Sequence, residues 1–278
     1  MPRWPVDRST GALRHLATIG LHSDPCQIST DRTGRFLLSA YYAAGGIAVH
    51  AIDERGAVVE PPVVWRETMP KAHCAMTDPS NRFVFLPHVG ESNTILRFVF
   101  DQDSGSLLGY GPPAVRPPAG EGPRHYCYHP NGKVVYFDNE QGSSVTAYHF
   151  DQAEGMPTSF QTVSTLPREW DGENTCAQIW MTPSGRNLYV SNRGHDSIAV
   201  FSANSETGEL NFLGAQPTLK VPRAFGIDPS GRYMLVAGLE TGELATYGID
   251  SASGRLRHLE TLHVGAQPMW VLFVQLSG

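Results

Sequence analysis

One turn is written five times along this chain: D-R-T-G-R-F (31 to 36), D-P-S-N-R-F (78 to 83), H-P-N-G-K-V (129 to 134), T-P-S-G-R-N (182 to 187) and D-P-S-G-R-Y (228 to 233). With Gly34, Asn81, Gly132, Gly185 and Gly231 as the common position, the spacings are 47, 51, 53 and 46 residues. Proline presets φ and Gly or Asn accepts a positive φ, so each copy predicts a tight hairpin between two strands. An apolar strand follows each hairpin (F-L-L-S-A-Y, F-V-F-L-P, V-V-Y-F-D, L-Y-V-S-N, Y-M-L-V-A), then a loop and a third strand such as S-V-T-A-Y-H-F or S-I-A-V-F. A second turn, D-x-x-x-G-x-L or a relative of it, introduces a fourth strand at 101 to 107, 205 to 210 and 250 to 256. Periods of this length in strand-rich sequence specify the blades of a β-propeller.

The expected fold is therefore all-β, a single propeller domain over residues 1–278, with five complete four-stranded blades beginning near Pro25, Ala72, Pro123, Thr175 and Pro222. The ends read as fragments of further blades. Residues 4 to 16 look like the last strands of a preceding blade, and 267 to 276 like a lone innermost strand. Pairing such terminal pieces is how propellers close, because an open edge leaves backbone groups unpaired.

The hairpin joins the innermost strand to the second, so the start of the innermost strand and the loop after the second strand share the opposite rim. Counting back five residues from each turn puts Cys26, His73, Arg124, Ala177 and Arg223 there. Counting on eight from the common Gly or Asn adds Tyr42, Val89, Glu140, Arg193 and Leu239, preceded by Tyr41, His88, Asn139, Asn192 and Gly238. These positions differ from blade to blade while the hairpins repeat, the pattern expected of a site built on a constant scaffold. Charges gathered near a closed axis must pair or bind something, because each costs several kcal/mol if left alone.

Each candidate has a structural alternative. Arg124 and Arg223, both in P-R, either bind an anion or bracket blades through backbone carbonyls. Glu140 is either a reacting group or the partner of Arg124, and His73 either a ligand-facing or a satisfied structural histidine. Arg193 sits in N-R-G-H-D-S, where His195 and Asp196 can close a self-contained turn. His129 belongs to a hairpin and is structural. Trp180, Phe225 and Trp270 fall inside innermost strands and read as core.

Composition narrows the partners. Lys and Arg number 21 against 27 Asp and Glu, a formal charge of −6, so there is no basic stripe for nucleic acid. Cys26, Cys74, Cys127 and Cys176 form no C-x-x-C pair and read as reduced thiols. The N-terminus lacks a signal-peptide core, and no run approaches the roughly 20 apolar residues of a membrane helix. A cytoplasmic protein, monomeric or weakly dimeric, is expected, with no membrane partner and no metal or other cofactor. G-x-S-x-G, H-E-x-x-H and the phosphate-cradling G-x-x-x-x-G-K are all absent. Guanidinium groups that hold an anion, beside a carboxylate or imidazole that takes a proton from water, suit metal-free acyl transfer to water.

The runs G-P-R-H-Y-C-Y-H-P-N-G-K-V-V-Y-F-D-N-E (122 to 140), S-N-R-G-H-D-S-I-A-V-F (191 to 201), V-P-R-A-F-G-I-D-P-S-G-R-Y (221 to 233) and G-A-Q-P-M-W-V (265 to 271) resemble the lactonase family of seven-bladed propellers. That family includes propeller-type bacterial 6-phosphogluconolactonases and fungal carboxy-muconate cyclases. The resemblance implies a catalytic set of His73, Arg124, Glu140 and Arg193, with His125, Asn139, Asn192, His195 and Arg223 contacting a small anionic lactone. It also implies that the family's first blade and the front of its second are missing from the N-terminus. Lactone hydrolysis is the leading expectation; lactonising isomerisation of a muconate and a non-catalytic binding propeller are the alternatives, the last favoured if the rim charges pair only among themselves.

Overall fold

The computed structural model describes residues 2–15, 17–109 and 113–275, which fall into two compact units. The first takes in residues 1–88, 95–114 and 274–278, the second 89–94 and 115–273.

The first unit opens with a hairpin of β1 (Pro2–Arg3) and β2 (Ala17–Thr18), extended by a bridge between Val6 and Leu13. The strands expected within residues 4 to 16 thus reduce to that bridge, and the two paired strands flank the range. Two four-stranded antiparallel sheets follow. One is β3 (Gln27–Thr30), β4 (Phe36–Tyr41), β5 (Gly46–Ala51) and β6 (Val64–Glu67). The other is β7 (Met76–Thr77), β8 (Phe83–His88), β9 (Thr94–Phe100) and β10 (Leu107–Leu108).

Three more sheets make the second unit. They comprise β11 (Pro123–Tyr128), β12 (Val134–Asn139), β13 (Ser144–Asp151) and β14 (Met156–Ser164); β15 (Thr175–Met181), β16 (Asn187–Arg193), β17 (Ser197–Ala203) and β18 (Leu210–Pro217); and β19 (Pro222–Ile227), β20 (Tyr233–Gly238), β21 (Glu243–Ile249) and β22 (Leu256–His263). Every sheet runs in sequence order. The only helical element among the described residues is a 3-10 turn, Gly90–Ser92.

All five repeated turns are hairpins, with Gly34, Asn81, Gly132, Gly185 and Gly231 at φ between 61° and 72°. The polar residue that opens each turn has a mechanical purpose. Asp78 Oδ1 accepts the amides of Arg82 and Phe83 at 2.8 and 2.7 Å, and Asp228 Oδ1 does the same for Arg232 and Tyr233. His129 fills that place with its ring: Nδ1 accepts the Asn131 amide, so Nε2 carries the proton and donates to the Gly185 carbonyl at 3.1 Å.

The middle strands read as continuous apolar runs because both faces are covered. Val134, Tyr136, Val145 and Ala147 pack with Ile179, Leu188, Val190 and Phe201, while Tyr189, Ile198 and Val200 pack with Phe225, Met234, Val236 and Tyr247. Tyrosine hydroxyls tie neighbouring sheets: Tyr136 donates to the Gly208 carbonyl and Tyr189 to that of Gly254, each at 2.8 Å.

The closing segment departs from expectation. Residues 267–275 form no strand. Val271 and Phe273 lie over Gly226 of β19, but an innermost strand needs a hydrogen-bonded neighbour within its own sheet, and no strand among the described residues pairs with this one. Trp270, expected in the core, is 45% exposed, whereas Phe225 is fully buried.

Candidate active site

At the start of each innermost strand of the second unit the ladder carries one extra residue. Pro123 pairs with Asn139 and Tyr126 with Phe137, leaving Arg124 and His125 opposite Asp138 alone. Cys176 pairs with Asn192 and Ile179 with Val190, leaving Ala177 and Gln178 opposite Ser191. Pro222 pairs with Gly238 and Ala224 with Ala237, so Arg223 is the extra residue of β19. Bulges re-aim side chains that a regular strand would send to the sheet face. Both P-R strands are also entered through the left-handed region, Gly122 at φ 66° and Val221 at φ 51°. For a β-branched valine that conformation carries strain of order 1–3 kcal/mol, a type of cost that gathers at functional sites.

The result is a compact charged cluster. Arg124, only 2% exposed, donates from Nε to Glu140 Oε2 at 2.8 Å. Arg193 approaches the same oxygen with Nη2 at 3.2 Å and donates from Nη2 to the Cys176 carbonyl at 2.7 Å. Glu140 Oε1 accepts the exposed Gln141 amide at 3.1 Å. Arg193 Nε is buried and has no hydrogen-bond partner among the described residues. Arg223 lies close enough for its charge to act on both Arg124 and His125.

Electrostatics follow from this crowding. Burial, and next the Arg193 charge, bring the Arg124 guanidinium down to about 10. His125, buried beside Arg124, is held well below the ordinary imidazole range, first by burial and then by that arginine. Its ring shares a side-chain hydrogen bond with Gln178.

The predicted residues divide. Arg124, His125, Glu140, Arg193 and Arg223 come together in the second unit. His73 belongs to the first, buried with its ring edge-on to Tyr42 at 5.8 Å between centroids. Asn139 and Asn192 are fully buried and brace strand ends: Asn139 Nδ2 donates to Ser144 and Thr146, and Asn192 binds Thr165, Asn174 and Ser197. Asn139 Oδ1 is buried with no hydrogen-bond partner among the described residues. His195 donates its backbone amide to Asn174, engages Ser197 through Nδ1 at 2.7 Å and sets its ring edge-on to Trp170. Asp196 accepts the Gly194 and Val221 amides, so the loop is bonded to the segments before β15 and β19 as well as to itself.

Three neighbours escaped the sequence reading. Asp138 is fully buried, accepts the His125 amide at 2.7 Å on Oδ1, and is pushed up to about 6 by burial against the pull of Arg124. The signal was a carboxylate ending the apolar run V-V-Y-F-D, where other blades have Ala40, Pro87, Ser191 and Ala237. Gln178 and Trp270, whose ring centroid is 6.2 Å from that of His125, carry no signal of their own. Among the described residues, no group of three or more His, Cys, Asp or Glu is placed to hold a metal.

A protein-family model described as "Lactonase, 7-bladed beta-propeller" matches residues 3–273. The chain belongs to that lactonase family. Its curated relatives include the 6-phosphogluconolactonase of Serratia proteamaculans, 35% identical over 262 residues that cover 94% of this chain and 78% of the relative. The 6-phosphogluconolactonase of Pectobacterium carotovorum is 34% identical over 267 residues, 96% of this chain and 80% of that one. Among solved structures, the periplasmic gluconolactonase of Pseudomonas aeruginosa shares the lactonase fold with a TM-score of 0.85, at 24% identity over 96% of this chain and 78% of that one.

Proposed function

We propose that this lactonase hydrolyses the lactone of a phosphorylated sugar acid, 6-phosphogluconolactone, opening the ring to the free acid. The relatives' shared name supports the substrate, and one observation supports the chemistry: two guanidinium groups converge on Glu140 Oε2 at 2.8 and 3.2 Å with a third arginine close by. Were the charges paired only with one another, the cluster would be a structural bracket. Arg124 and Arg193 instead share one oxygen of a single carboxylate, and the charge of Arg223 reaches Arg124, an arrangement that suits an added anion.

In this reading Arg193 and Arg223 grip the anionic substrate, and Arg124 polarises the lactone carbonyl. Glu140, oriented by the arginines on Oε2, takes a proton from water through Oε1 as the water oxygen bonds to the carbonyl carbon. Collapse of the adduct breaks the ring C–O bond, and Glu140 returns its proton to the leaving oxygen, which becomes the product hydroxyl while the carboxylate is regenerated. His125, held neutral, accepts or passes on a hydrogen bond beside Arg124.

The partners follow from the same reading: a small anionic lactone, neither nucleic acid nor membrane, in a cytoplasmic monomer or weak homodimer. The acidic balance of charge speaks against nucleic acid, and among the described residues no helix is long and apolar enough to cross a membrane. Lactone hydrolysis measured above the spontaneous background tests the activity. Arg124→Ala and Glu140→Ala are expected to bring the rate to background; unchanged rates in both would reject the site.

A further inference from the structure

The bulge that aims Arg124 and His125 is an irregularity, and irregular backbone must find new partners for the amides it displaces. Opposite Arg124 and His125 stands one residue of β12, Asp138. Its Oδ1 accepts the displaced His125 amide at 2.7 Å. The next sheet repeats the device with different chemistry: Ser191, the single residue opposite Ala177 and Gln178, accepts the Gln178 amide on Oγ at 3.1 Å. In the last sheet the matching position is Ala237, which has no acceptor, and there Ala224, in the place of His125 and Gln178, pairs with Ala237 in the ladder and leaves Arg223 alone as the extra residue. A side-chain acceptor thus accompanies the two sheets in which two residues stand opposite one, and where it is missing the residue after the extra one stays in the ladder.

We infer that Asp138 is a positioning residue for the reaction: its Oδ1 locks the β11 bulge, and that lock holds the Arg124 guanidinium against Glu140 and the His125 ring beside it. Asp138 is fully buried, and its Oδ2 has no hydrogen-bond partner among the described residues, so the bond to the His125 amide is the hydrogen bond through which the carboxyl holds the site. Arg124 follows Pro123, whose φ is fixed, and precedes His125, whose amide is tethered; both ends of the Arg124 backbone are therefore restrained. The value of the restraint lies in orientation, since small misplacement of a reacting or binding group lowers turnover severely.

The inference rests on the proposed lactonase activity only for its kinetic consequence, and two readouts separate them. The first is amide hydrogen exchange at His125 in the full chain. Asp138→Ala is expected to speed that exchange at least tenfold relative to Tyr126. Asp138→Ser, which recreates the Ser191 arrangement without a charge, is expected to stay within threefold of the natural chain. The second readout is kinetic: kcat/KM on 6-phosphogluconolactone falls at least tenfold in the alanine variant and recovers to at least a third of the natural value in the serine variant. If the natural chain shows no turnover, the proposed function fails while exchange still decides the lock. If Asp138→Ala does not fold, Asp138→Ser alone decides: protected exchange with retained activity supports the inference. Exchange as fast in the serine variant as in an unprotected amide, or its activity below a tenth, overturns it.

Discussion

Glu140 is the residue on which the proposed chemistry turns. Glu140→Gln keeps the shape and an oxygen for the arginines but removes the base. Turnover is expected to fall on the order of 10²–10⁴-fold with KM little changed, as steady-state kinetics would record. Arg193→Lys tests the rest of the guanidinium: Nη2 alone serves the Cys176 carbonyl and Glu140, and an ammonium in its place has no further nitrogen for the substrate, so KM for the anionic lactone is expected to rise on the order of tenfold. Asp138 makes a pH prediction. Its folded-state pKa, about 6, lies above the ordinary 3.8, so the folded chain holds the proton longer. The stability from that proton is full below about pH 4 and is lost as pH rises through about 6. His125 runs the other way, its contribution present above the ordinary 6.5 and lost as pH falls. Thermal melts of the natural chain and Asp138→Asn should therefore show the natural chain's advantage shrinking from pH 4 to 7; a constant difference would contradict the assignment.

At the scale of elements, the hairpins and sheets were legible because they obey local rules. A turn that needs φ near 70° at one position and a side-chain acceptor three residues earlier writes both into sequence, and it did so five times. The bulges were not legible, since G-P-R-H-Y-C-Y reads equally well as a regular strand. Whether the ladder gains a residue depends on how the preceding left-handed residue delivers the chain and on what β12 offers opposite. The closing segment fails for the complementary reason: an alternating apolar run qualifies as a strand only if a neighbour completes its ladder. Contacts between sheets give a sharp test. A Cβ at Gly208 would stand 2.6 Å from Val134 Cγ2 at a φ of +75°, in the turn that receives the Tyr136 hydroxyl. Gly120 has a φ of +85° but open space around it. Gly208→Ala is expected to cost about 1–3 kcal/mol more than Gly120→Ala in denaturant unfolding, because only the former adds overpacking to backbone strain.

For the molecule as a whole, charge and site have opposite signs. The chain carries −6, yet the cluster gathers Arg124, Arg193 and Arg223. Association of an anionic lactone then depends on a local field working against the global one, and screening weakens the local attraction at short range. KM for 6-phosphogluconolactone is expected to rise severalfold between 20 mM and 500 mM salt, with much less change for unphosphorylated gluconolactone; equal responses would remove the arginines from phosphate binding. The repeat count read from sequence alone placed Arg124, Glu140, Arg193 and Arg223 on one rim, because a periodic scaffold converts sequence position into spatial position. It placed Asn139 and Asn192 at the same strand ends, but counting residues cannot tell which partners a side chain takes there. By itself the sequence determined the five hairpins, the four-stranded sheets and the candidate charges, all consequences of local turn chemistry and a fixed period. Only the tertiary structure decided that Arg124 is buried on Glu140 and that Asp138 lies beneath it. Burial, register and the cost of an unpaired charge are set by residues that meet across strands, not along the chain.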